Sequence, residues 1–174
     1  VYPEALKSKN LRDRIARYAR DAEKSQEFTR SIIIPVTKNE SVKNIVDVLE
    51  KLYLEGDGKN NEINRLAGIV IVGDVPLPVV NKNGYHFVSL FPYTDFTDKA
   101  YIFDDTLQDF IPNKNVTSGK VEIWHGIIKP PVSGEEGNNL LASYLDKNHL
   151  FHCNENNCAD AAKDFQAFGK KMLY

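Results

Sequence analysis

Leu66-Ala-Gly-Ile-Val-Ile-Val-Gly-Asp-Val-Pro-Leu-Pro78 is the stretch whose reading decides the fold. An apolar run that is β-branched on both faces predicts a strand buried on both sides, as at the centre of a parallel α/β sheet. It stops on Gly73-Asp74, followed by Pro76 and Pro78, which cannot continue a central ladder. Open α/β sheets carry their chemistry just past the carboxyl ends of such strands. Gly73 and Asp74 are therefore the first candidate site residues.

Upstream of this strand, Val42, Ile45, Val46, Leu49, Leu52 and Tyr53 fall at helical spacing. Ser41 or Asn39 is placed to cap that helix and Gly56 to end it. Ser31-Ile-Ile-Ile-Pro-Val36 predicts a short buried strand, with Pro35 favouring its end or an edge. Leu6, Leu11, Ile15, Tyr18, Ala19 and Ala22 predict an amphipathic first helix. Its Arg12, Arg14, Arg17 and Arg20 interleave with Asp13, Asp21 and Glu23, the pattern of a solvated face rather than of a phosphate site. Helix, strand, helix, strand is the order of a right-handed crossover unit.

Downstream, Asn81-Lys-Asn-Gly84 predicts a turn and Tyr85–Phe91 the returning arm of a hairpin. A short aromatic strand follows within 95–105, and Val121-Glu-Ile-Trp-His-Gly-Ile-Ile128 predicts a further core strand closed by Pro130 and Pro131. Ser133 and Glu136 have capping-box spacing ahead of a helix bearing Leu140, Leu141, Tyr144 and Leu145. After the polar loop 152–157, 159–168 predicts a short helix, and Gly169-Lys-Lys-Met-Leu-Tyr174 the opening of a strand. The expected fold class is α/β, a three-layer α/β/α sandwich whose mostly parallel sheet of about four strands is extended by the Asn81–Phe91 hairpin.

The 174 residues, 42% of them apolar, suffice for one core, so the expectation is a single α/β domain over 1–174. A formal net charge of -2 gives no electrostatic reason to expect nucleic acid as a partner. The longest apolar runs, 32–36 and 66–80, are too short and interrupted to insert in a bilayer, and Val1-Tyr-Pro-Glu4 lacks a signal peptide's basic start and apolar core. A start without Met predicts an excerpt of a longer chain. Asn39-Glu-Ser41 and Asn115-Val-Thr117 are sequons that acquire meaning only in a secretory context.

Several side-chain sets carry candidate chemistry. His125 and Cys158 form one possible thiol–imidazole dyad, since an imidazole beside a thiol generates thiolate near neutral pH. Against it, Cys158 follows the polar Asn154-Glu-Asn-Asn157, and His125 sits within a strand, where backbone satisfaction is the commoner state. His149, His152, Cys153 and Cys158 include zinc-ligand types without a finger or ribbon spacing; free thiols or a loop disulfide stay open for the cysteines. Asp74, Asp95, Asp98, Asp104 and Asp105 supply oxygen ligands of the kind calcium takes, without EF-hand spacing. Gly73 belongs to neither a Gly-x-Gly-x-x-Gly nor a Walker pattern, which disfavours a nucleotide site.

Taken in order, these blocks resemble the gingipain-like family of cysteine peptidases, which have a caspase-like fold. The resemblance rests on Gly68-Ile-Val-Ile-Val-Gly-Asp-Val-Pro-Leu-Pro78, Asp98-Lys-Ala-Tyr-Ile-Phe-Asp104, Val121-Glu-Ile-Trp-His-Gly-Ile-Ile128 and Leu140-Leu-Ala-Ser-Tyr-Leu-Asp-Lys-Asn148. Gly73 and Asp74 match that family's Val-Gly-Asp turn, Tyr101 the aromatic of its Asp-x-x-Tyr segment, and Glu122 and Gly126 the Glu and Gly of its later strand. Ile127 stands where the family usually has arginine, so cleavage after basic residues is not carried over.

The resemblance implies that 1–174 is the first, non-catalytic half of a secreted or cell-surface cysteine endopeptidase. The catalytic histidine and cysteine are then expected beyond Tyr174, His125-Gly126 is a coincidence, and this chain alone is inactive. The implied partner is a peptide or protein substrate of the full-length protein. No cofactor is required, and calcium stays open. The rival is a non-catalytic surface or adhesion module on the same fold.

Overall fold

The computed structural model describes residues 1, 7–25, 29–56 and 64–152. They form a mixed α/β structure with two sheets, one of them parallel. The chain divides into two compact units, 36–128 and the combination of 1–35 with 129–174.

Within the unit 36–128, α2 (Val42–Leu54) precedes β1 (Gly68–Val72) and β6 (Trp124–Ile128). The two strands pair in parallel, with Val70 opposite Gly126 and Val72 opposite Ile128. Ser41 occupies the N-cap position in an extended conformation, but its side chain makes no cap bond; its carbonyl accepts the Ile45 amide at 3.1 Å. Gly56 takes φ 73° just past the helix, the left-handed region that glycine enters at little cost. Ile45 and Leu49 of α2 pack with Ile71, Val75, Tyr93, Phe96 and Ile123 in one buried cluster. Each such side chain withdrawn from water contributes about 1.5–3 kcal/mol.

The second sheet of this unit runs in the order β3-β2-β5-β4, from β2 (Val79–Lys82), β3 (Tyr85–Val88), β4 (Tyr101–Asp104) and β5 (Asp109–Pro112). β2–β3 and β4–β5 are antiparallel, and β2 meets β5 in parallel at Val80–Phe110. Asn83 (φ 55°) and Gly84 (φ 82°) close the first hairpin in the conformation a two-residue primed turn requires, and the Gly84 amide donates to Asn81 Oδ1 at 3.1 Å. Val80 and Phe110 are buried, and the Phe103 and Phe110 rings meet edge to face at 5.2 Å.

The unit of 1–35 and 129–174 contains α1 (Lys9–Ser25) and α3 (Gly134–His152). Leu11 and Ile15 are buried on α1, Gly137, Leu141 and Leu145 on α3. A Cβ at Gly137 would lie 2.1 Å from the Val132 carbonyl oxygen, so the approach to α3 closes against a position only glycine fits. Glu135 and Glu136 in the first turn and His149 and His152 in the last suit the helix dipole. Arg14 and Arg17 reach Asp146, and Asp21 meets His149, so charged side chains join the two helices.

Three expectations require correction. Residues 31–36 form no strand: Ile32 and Ile33 are exposed, and Pro35 has no amide to give a ladder. The Asn81–Phe91 hairpin does not extend the parallel sheet. Pro76 and Pro78 break the run after Gly73, and the hairpin arm Tyr85–Val88 belongs instead to the second sheet, built with β4 and a strand, β5, hidden in the turn-rich stretch. Arg14 and Arg17 are not merely a solvated face: both pair with Asp146 on α3, while Arg12 and Arg20 are exposed. The regions 153–157, 159–168 and 169–174 lie outside the described residues.

Candidate functional site

The β1–β6 pair and its flanks hold four of the five family-matched positions, with Gly73 and Asp74 past the carboxyl end of β1, Gly126 within β6 and Glu122 ahead of the amino end of β6. β1 ends at Val72, and the next residue, Gly73, turns at φ 81° while its amide donates to the Ile128 carbonyl at 2.9 Å. A side chain there would incur the left-handed penalty of roughly 1–2 kcal/mol. Gly73 is buried, and Asp74 follows it partly buried. Gly126 lies mid-strand on β6, where an added Cβ would meet nothing within 4 Å. At Gly68 a Cβ would fall 2.0 Å from the Trp124 ring, so the indole lies directly against the glycine of the neighbouring strand.

Glu122, just before β6, ties that strand to the 94–97 segment. Its amide donates to the Thr94 carbonyl at 2.8 Å, and its Oε2 accepts the amides of Phe96 (2.8 Å) and Thr97 (3.1 Å). Two backbone donors on a carboxylate make charge-assisted bonds stronger than neutral ones. Beside it, the Tyr93 hydroxyl donates to the Pro76 carbonyl at 2.8 Å. Burial pushes that hydroxyl well above the ordinary tyrosine value, so it stays a protonated donor.

The acidic residues of the second region serve the backbone in the same way. Asp95 is buried, and its two oxygens accept the amides of Lys99 (3.2 Å) and Ala100 (2.8 Å), holding Lys99 at φ 52°. Gly119 fits against this loop: a Cβ there would be 2.5 Å from Asp95 Oδ2 and from Ala100 Cβ. Asp104 Oδ1 accepts Thr106 (2.9 Å) and Leu107 (3.0 Å), shaping the β4–β5 turn. Asp98 is exposed, and Asp105 lies in that same turn. Tyr101 stands on β4 with its ring edge-on to Phe91 at 5.8 Å. Among the described residues there is no group of three or more His, Cys, Asp or Glu able to hold a metal ion.

Of the proposed dyad, His125 is exposed on β6 opposite Ile69, whereas Cys158, like Cys153, lies outside the described residues. His152 is exposed at the end of α3, and His149 Nδ1 lies 2.7 Å from Asp21 Oδ2 at the α1–α3 contact. His86 Nδ1 likewise lies 2.9 Å from Asp109 Oδ2. Neither histidine–carboxylate pair was expected from sequence. Asp21 is 128 positions from its partner, and the only local signal was an acid on the apolar stripe of α1, three residues after Tyr18. Gly119, isolated in a polar stretch, was the corresponding signal for the Asp95 loop.

Against protein-family models, curated proteins and solved structures, the chain shows no significant match.

Proposed function

We propose that this chain is the leading, non-catalytic portion of a gingipain-like cysteine endopeptidase. It would complete a caspase-like three-layer α/β/α fold and act outside the cell or at its surface. The observation that carries the proposal is the convergence on one parallel strand pair: Gly73 closes on the carbonyl ending β6, Gly126 faces Val70, and Glu122 anchors the approach to β6. Gly73 is remote in sequence from Glu122 and Gly126, yet all three belong to this strand pair and its flanks.

In the whole protein a thiolate, formed by proton transfer to an imidazole, attacks the scissile carbonyl carbon. Backbone amides stabilise the resulting oxyanion. The C–N bond then breaks, the amine leaves with the imidazole's proton, and water hydrolyses the thioester to restore the thiol. The thiol and imidazole would come from sequence beyond Tyr174, and this chain would supply the sheet on which that half assembles.

The test is to treat the full-length gene product with iodoacetamide during peptide hydrolysis and to map the alkylated cysteine by mass spectrometry. Hydrolysis lost with alkylation beyond Tyr174 is the expected result. Loss through Cys158 would instead place the nucleophile within this chain, and no thiol-dependent hydrolysis at all would favour a surface or adhesion module.

A further inference from the structure

We propose that Asn83 is a site of spontaneous covalent modification, deamidated through a cyclic imide at a rate gated by the side chain of Asn81. Asn83-Gly84 is the only Asn-Gly pair in the chain. Glycine has no side chain to hinder attack of its own amide nitrogen on the preceding asparagine Cγ. Both residues are exposed at the tip of the β2–β3 hairpin, and the space where a Gly84 Cβ would stand is open. The reacting atoms and the water they need are therefore together.

The reaction balances on water alone. The Gly84 nitrogen gives its proton to hydroxide and forms a bond to Asn83 Cγ. The Cγ–Nδ2 bond breaks, and ammonia leaves with a proton from water. Water then opens the five-membered imide at either carbonyl. Breaking the bond from nitrogen to Cγ leaves aspartate in an ordinary main chain. Breaking the bond from nitrogen to the Asn83 main-chain carbonyl carbon leaves isoaspartate, whose main chain runs through Cγ and is longer by one carbon. Either product carries one more negative charge than the asparagine.

The fold opposes ring closure in two ways. Positive φ at both Asn83 (55°) and Gly84 (82°) marks a type I′ turn. The first central residue of that turn has ψ of about 30°, which swings the following nitrogen away from Cβ, whereas the imide needs it on the same side. The Gly84 amide also donates to Asn81 Oδ1 at 3.1 Å, so its proton is held by an acceptor outside the turn. Asn81 sits half-buried on β2 opposite His86, and the ladder therefore positions that acceptor. Closure requires this bond to break and the turn to open, and the modification records those openings. Aspartate at 83 keeps the hairpin, because Asp-Gly suits the same primed turn. Isoaspartate puts an extra main-chain carbon between Lys82 and Tyr85 and breaks the two-residue register that places β3.

The purified chain, held at mildly alkaline pH and sampled over weeks, tests this. Peptide mass spectrometry locates each converted asparagine, hydrogen exchange follows the Gly84 amide, and circular dichroism confirms that each variant folds. Wild type should convert at Asn83 before any other asparagine, and more slowly than the same chain unfolded in urea. Asn81→Ala should both deamidate and exchange the Gly84 amide about fivefold faster, the worth of one net hydrogen bond. Asn81→Asp, which keeps an acceptor oxygen, should stay near the wild-type rate. A folded wild type that keeps Asn83 intact while the unfolded chain converts overturns the site. Conversion as fast folded as unfolded overturns the gate. So does Asn81→Ala reacting at the wild-type rate, or reacting faster without faster exchange at Gly84.

Discussion

Between α1 and α3, the buried leucine and isoleucine side chains share their contact with Asp21, His149 and the Arg14–Asp146–Arg17 cluster. Around β1, β6 and α2 the buried cluster is apolar apart from the Tyr93 hydroxyl; Glu122 and Asp95 bind backbone amides, and Glu50 of α2 pairs with Lys99 at 2.6 Å. One unit thus joins its elements through charged side chains. The other joins them mainly through burial, with charge shaping its loops and one ion pair, Glu50–Lys99, linking α2 to the Asp95 loop. The first should respond to pH and salt, the second to lost volume.

The sharpest break of this contrast is Phe96→Ala. Phe96 is buried against α2 residues, with the Tyr53 ring at 5.2 Å, so its loss should cost about 3–5 kcal/mol in urea unfolding. An effect under about 1 kcal/mol would mean that the cluster is not what holds this unit. Glu122→Ala comes next, at about 2 kcal/mol, because two backbone donors lose a charged acceptor. Glu122→Gln should recover part of that. Gly73→Ala should cost roughly 1–2 kcal/mol through its φ alone, and a neutral result would show that the turn relaxes.

The smallest effect belongs to the helical pair. Burial works to raise the Asp146 carboxyl, but hydrogen bonds from Arg14 and Arg17 outweigh it and hold the group below the ordinary aspartate value. A carboxyl depressed on folding stabilises above the unfolded value, about pH 3.9, and loses that contribution as pH falls through the lower folded one. Its side chain is 39% exposed, so screening limits the gain to about 1 kcal/mol or less. The stability difference between wild type and Asp146→Asn should therefore be present at neutral pH, shrink in high salt and vanish on acidification. A difference that persists in acid would place the effect in packing.

Local pattern made much of this legible. The β-branched run gave β1, the helical stripes gave α1 and α2, Asn83-Gly84 gave the hairpin, and Trp124–Ile128 lies within the strand expected over 121–128. The misses share a cause. Residues 31–36 have a strand's composition, but whether a strand forms depends on a neighbour that no local window contains. β5, Asp109–Pro112, is short and its run ends in proline, so only Val80 and the β4 residues across from it reveal its state. Of the candidate site, Gly73 and Glu122 had readable positions. The carboxylates considered for calcium had readable chemistry, but their amide partners are set by loop geometry that composition does not encode.

The indole against Gly68 has an optical consequence. Trp124 is the only tryptophan in the chain, and at 48% exposure it is partly wet and partly against β1. Its emission can be excited apart from the tyrosines, so its colour and quenching report whether β1 and β6 are in register and on little else. A chain that keeps its helices while this emission shifts to the red would have parted its parallel strands first.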